Sequence, residues 1–94
     1  MDGAPLLTVQ WAHDKAYTAA GMGMGTDGWY PMIKDDGALM TGVPHGDRVV
    51  VFGGGYPIFL DGQLLGGIGV SGGTYADDMK CAQMGLEKLG FSYS

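Results

Sequence analysis

The chain has 94 residues, 46% of them hydrophobic, and a mean hydropathy of +0.08, which suits one small globular domain and excludes a disordered chain. Its net charge of −5, with only five scattered Lys and Arg, excludes DNA or RNA as partner, because phosphate binding needs clustered cations. One cysteine excludes an internal disulfide, and neither a membrane-length apolar run nor a basic-then-apolar leader is visible, so a cytoplasmic setting without membrane contact is the expectation.

Met1-Asp2-Gly3-Ala4-Pro5 is turn chemistry. Thr8 is then placed to cap a helix running to about Gly21, with Val9, Ala12, Ala16, Ala19 and Ala20 as a small apolar face. Gly21-Met22-Gly23-Met24-Gly25 ends it; the spacing matches part of a dinucleotide-binding loop, but it follows a helix instead of a strand, and that reading is set aside. Thr26 opens a second, short helix over residues 27–34, with Trp29, Met32 and Ile33 inward. Residues 35–46 read as a loop holding Pro44 and His45, and Arg48-Val49-Val50-Val51-Phe52 reads as a β-branched strand.

Gly53-Gly54-Gly55 turns the chain into a hairpin. Ile58-Phe59-Leu60 and Gln63-Leu64-Leu65 flank Asp61-Gly62, a pair suited to a type I′ turn because both residues tolerate positive φ. The strand over residues 64–70 carries no charge on either face and so reads as a central strand covered on both sides. Its glycines point to another backbone or a ligand approaching closely. Ser71-Gly72-Gly73 breaks it, and Thr74 caps a last helix whose face of Asp78, Cys81, Ala82, Gly85 and Leu89 can lie flat on a sheet. Gly90 stops that helix, with Phe91 folding back. Three strands make a thin sheet for two substantial helices, and the central character of residues 64–70 asks for a neighbour from elsewhere.

The run from Gly53 to Leu86, with Met1-Asp2-Gly3-Ala4-Pro5 and Asp14-Lys15-Ala16-Tyr17-Thr18-Ala19, resembles the GlcG/HbpS-like haem-binding or haem-degrading family. The shared pattern includes a Lys-Ala-x-Thr-Ala helix, Gly54-Gly55-Tyr56-Pro57-Ile58, the Asp-Gly hairpin, Gly-x-Ser-Gly-Gly-Thr and an Asp-x-x-Cys-Ala-x-x-Gly helix, with Tyr56 where Val is more usual. The resemblance implies an α+β, profilin-like domain: a five-stranded antiparallel sheet with flanking helices, often in large oligomers. It also implies a helix and two strands ahead of residue 1, so residues 1–94 are expected to form the C-terminal portion of the family domain. A second polypeptide would then complete the sheet; the alternative is a rearranged homo-oligomer.

Haem is the cofactor that the resemblance implies, although it fixes no axial ligand. His13 and His45 are the histidine candidates for iron, with His45 favoured because its loop lies near the glycine turn. Lys15 and Asp78 match polar positions of the family. Each sits beside an apolar helix face, where a charge must be paired, so a structural ion pair stands beside a catalytic or carboxylate-holding role. Gly54, Gly55, Gly72, Gly73 and Thr74 could offer backbone N–H groups to an anionic ligand, and turn geometry explains them equally well. Tyr56, with Tyr17, Tyr75 and Trp11, is a candidate pocket wall. Three functions remain open: a small-ligand protein binding haem or a related tetrapyrrole, an enzyme subunit acting on a small metabolite at a subunit interface, and a non-catalytic accessory subunit.

Overall fold

A long first helix lies across a β-hairpin, and this pairing sets the position of everything else. The computed structural model describes residues 6–93, so the turn read over residues 1–5 lies outside the described residues. Helix α1 spans Leu6–Met22, so Thr8 lies within it instead of capping it. The small side chains Ala12, Ala16 and Ala20 let it approach the sheet closely. A Cβ on Gly67 would strike the Ala16 carbonyl, and one on Gly69 the Ala12 carbonyl. The strand glycines therefore answer a helix backbone.

The hairpin consists of β1 (Gly55–Leu60) and β2 (Gln63–Gly69), antiparallel, with Leu60 opposite Gln63 and a bulge between Ile58 and Phe59. Asp61 and Gly62 have φ of 53° and 80°, the double positive that a type I′ turn requires. Beyond β1, Phe59 exchanges two backbone hydrogen bonds with Ser92, 2.7 and 3.0 Å. Beyond β2, no strand lies among the described residues, and Gln63, Leu64 and Leu65 are exposed. The strand expected to be central and doubly covered is thus an edge among the described residues. The α+β class stands, with two of the implied strands among the described residues.

Helix α4 (Tyr75–Leu89) closes the other side. Thr74 Oγ1 accepts from the Asp77 N–H at 3.2 Å, and Gly90 at φ 83° ends the helix. There the Gly90 N–H reaches Glu87 O and the Phe91 N–H reaches Leu86 O, the paired bonds of a Schellman stop. Its inner face is Asp78, Ala82 and Leu86, of which Ala82 and Leu86 pack on Tyr56, while Cys81 and Leu89 are exposed.

Between α1 and β1 the chain departs from the sequence reading in three places. Residues 26–28 form a 3-10 turn before α2 (Trp29–Ile33), and Thr26 caps no helix with its side chain; its hydroxyl accepts the Gly55 N–H at 3.0 Å. The expected loop contains α3 (Gly37–Gly42), capped by Asp36, whose Oδ1 accepts from the Ala38 and Leu39 N–H groups, followed by a 3-10 turn, Val43–His45. Residues 48–52 form no strand. Thr18 Oγ1 donates to Arg48 O at 2.8 Å and accepts from the Val50 N–H at 3.1 Å, so an α1 side chain takes the place of a neighbouring strand.

Candidate functional site

Lys15 leaves α1 beneath the glycine turn and is 1% exposed. Its Nζ donates to Val70 O at 2.9 Å and to Asp78 Oδ2 at 3.0 Å. The other Asp78 oxygen accepts the Gly73 N–H at 3.1 Å. One buried ion pair therefore ties together α1, the exit of β2, the loop before α4 and α4 itself. Gly54, at φ 126°, passes close over the ammonium, and a Cβ there would meet Lys15 Nζ at 2.6 Å. The ammonium also lies 5.1 Å from the Phe52 ring centroid.

On the far side of this cluster is a cavity of about 390 Å³ lined by Asp27, Tyr30, Pro31, Val51, Phe52 and Tyr75, with Gly53 completing the wall. Trp11 meets Phe52 edge-on, centroids 5.8 Å apart, and helps fix that ring. Asp27 is the charged residue among those described that line the cavity. Its carboxylate lies beside the hydroxyl of buried Tyr56, which also accepts from Gln83 Nε2 at 2.7 Å. Burial, and after it the negative charge of Asp27, push the Tyr56 hydroxyl up to about 12.

Lys15, Asp78, Gly54, Gly55, Gly73 and Thr74 come together, with Lys15 against the Phe52 wall of the cavity. The Gly73 N–H donates to Asp78 and the Gly55 N–H to Thr26, so these two donors are committed to internal partners, while the Thr74 hydroxyl accepts the Asp77 N–H. Gly72, at φ 147°, shapes the same loop. Tyr56 is buried behind Asp27 and is not a wall residue. His45 is exposed at the end of a 3-10 turn and is not among the cavity's lining residues. His13 is exposed and edges a separate, shallower cleft of about 170 Å³ with Ala12, Ala16 and Gly69. Of the four aromatic candidates only Tyr75 lines the larger cavity; Tyr17 instead lies under the Arg48 guanidinium, 3.9 Å from its centroid. Asp27, Tyr30 and Phe52 were not singled out because they come from segments read as a helix face and a strand.

Among known proteins, the family model for haem-degrading HbpS-like proteins matches residues 1–87. The corrinoid adenosyltransferase PduO of Salmonella typhimurium is 38% identical over 90 residues, which make up 95% of this chain and 27% of PduO. A 15.0 kDa protein encoded between dhaT and dhaS in Citrobacter freundii is 36% identical over 89 residues, 93% of this chain and 62% of that protein. The chain thus spans less than two thirds of the length of either relative. The crystal structure of a PduOC–haem complex is similar with a TM-score of 0.84 at 33% identity, covering 99% of this chain and 68% of that one. The Klebsiella pneumoniae protein ORFY gives 0.79 at 31% identity, covering 93% and 61%.

Proposed function

The chain belongs to the HbpS-like family of haem-degrading proteins, and on that premise we propose that it binds haem in the cavity beside Gly53. The observation that carries this reading is the cavity itself: flat aromatic and apolar walls from Tyr30, Pro31, Val51, Phe52 and Tyr75 suit a planar macrocycle. Its likeness to a chain crystallised with haem supports the same ligand. The residues that would hold haem are those walls, and the Tyr30 and Tyr75 hydroxyls are oxygen donors of a kind that iron accepts. Haem bound there would supply the redox chemistry that its own breakdown requires. Lys15 and Asp78 would act from behind, keeping Phe52 and the glycine turn in place. Titration with haemin tests the reading: a saturable Soret shift at one equivalent is expected, and no shift overturns it.

A second reading is favoured by the similarity to PduO. In it the chain is a tetrapyrrole-binding module of corrinoid metabolism, and a cobalamin titration run beside the haemin one separates the two. Whether the ligand is degraded is read from loss of the Soret band with a reductant present.

We propose further that a strand from a second polypeptide pairs with the outer edge of β2. Residues 63–69 carry neither charge nor proline to discourage pairing, and Leu64 and Leu65 are 41% and 54% exposed. Native mass measurement with subunit identification tests this. A heteromer supports it, a homo-oligomer favours pairing between copies, and a monomer at all concentrations overturns both.

A further inference from the structure

We infer that the cavity beside Gly53 is a receptor for an organic ammonium group carried on an apolar body, with Asp27 as its counter-ion. This goes beyond the haem reading: it shares the cavity but needs no iron. Three aromatic rings, Tyr30, Phe52 and Tyr75, line the space, and their faces attract cations. Among the described lining residues the charge is negative, from Asp27. That residue is exposed and so open to a ligand. Asp27 Oδ1 and the Tyr56 ring converge on Gly25, where a Cβ would meet them at 2.6 and 2.8 Å, and the Tyr56 hydroxyl lies beside the carboxylate.

The nearby cation cannot reverse this preference. Lys15 lies against Phe52, but its charge is compensated by Asp78 at 3.0 Å and its hydrogens are directed to Asp78 and Val70 O. An anionic group entering the cavity would meet aromatic π-faces and a carboxylate, with the Tyr30 and Tyr75 hydroxyls to receive it, so Asp27 weakens the binding of a carboxylate without barring it. An ammonium would meet the same surfaces as partners. Aromatic faces combined with a carboxylate distinguish charge sign more sharply than shape, so the selectivity should appear even in small probes.

Benzylammonium, benzyl alcohol and benzoate have one ring size and three charges. Titrating each into the full chain, followed by shifts of the tyrosine ring resonances, should give benzylammonium the tightest binding and benzoate the weakest. A span of roughly tenfold is expected from a cation–π contact together with a partly exposed ion pair. Asp27→Asn should collapse the span to about twofold or less, while Asp77→Asn, which removes the same charge from the exposed start of α4, should preserve it. Equal affinities, tighter benzoate binding, no binding of any probe, or the same span in Asp27→Asn would each overturn the inference. Because no probe contains iron, these outcomes are independent of the haemin titration.

Discussion

Lys15 Nζ and Asp78 Oδ2 lie 3.0 Å apart with side chains 1% and 6% exposed, joining the first and last helices through the interior of a 94-residue chain. Breaking one side of such a pair leaves a buried charge without its partner, which costs about 3–5 kcal/mol, a large part of a small domain's total stability. Lys15→Met is therefore expected to lower the urea midpoint severely. The double variant Lys15→Met/Asp78→Leu, which removes both charges, should recover most of the loss. A single-variant cost near that of a surface pair, below about 1 kcal/mol, would instead leave these residues free for chemistry.

The contact of α1 with β2 gives a second prediction. A methyl group on Gly69 would collide with the Ala12 carbonyl, and one on Gly67 with the Ala16 carbonyl, whereas nothing lies within 4 Å of a Cβ on Gly66. Gly69→Ala and Gly67→Ala should each cost about 1–3 kcal/mol or more, as overpacking against backbone does. Gly66→Ala should stay within about 0.5 kcal/mol. Equal costs at all three positions would mean that intrinsic strand propensity, not helix approach, explains the glycines.

These same glycines mark what could be read from the sequence. Local chemistry was legible: the Asp61-Gly62 turn, the Thr74 cap and the Gly90 stop depend on residues adjacent in sequence, and all three form. The close approach at β2 was also visible, because strand glycines have few other uses. What could not be read depended on distant partners. Residues 48–52 have strand composition, yet the Thr18 hydroxyl meets their backbone from α1, and Arg48 takes φ 62°. Helix α3 was hidden by glycines at both ends, although Asp36 before Ala38-Leu39-Met40 was a usable capping signal. The cavity joins residues 27–31, 51–53 and 75, a juxtaposition that no local pattern encodes.

Tyr56 gives a pH prediction. Its hydroxyl is raised from 10.0 to about 12, first by burial and then by Asp27. A phenol whose native value exceeds its unfolded value keeps its proton longer when folded. Its contribution to stability is therefore complete below about pH 10 and is lost as pH rises through about 12. Tyrosinate absorbance should show a lagging step near pH 12 from Tyr56, with Tyr93, whose hydroxyl donates to Glu87 Oε1 at 2.9 Å, also raised above its ordinary value. Tyr56→Phe should remove the lagging step and flatten the stability slope across that window; a slope unchanged by the substitution would place its origin elsewhere.

Haemin binding can be assigned to a location by substitution, because the two histidines and the two cavity tyrosines are spatially separate. His45 is exposed on a 3-10 turn and His13 edges the shallow cleft against Gly69, while Tyr30 and Tyr75 line the larger cavity. If haem enters that cavity, Tyr30→Phe or Tyr75→Phe should change the ligand-to-metal bands by removing an oxygen donor, with the aromatic wall left in place. His45→Ala should leave the spectrum and affinity unchanged, as should His13→Ala. Both tyrosines are more than half exposed, so neither substitution should shift the melting temperature appreciably. A Soret band abolished by His13→Ala and indifferent to both tyrosines would move the ligand to the cleft between α1 and the open edge of β2. There the strand proposed to come from a second polypeptide would form part of the site.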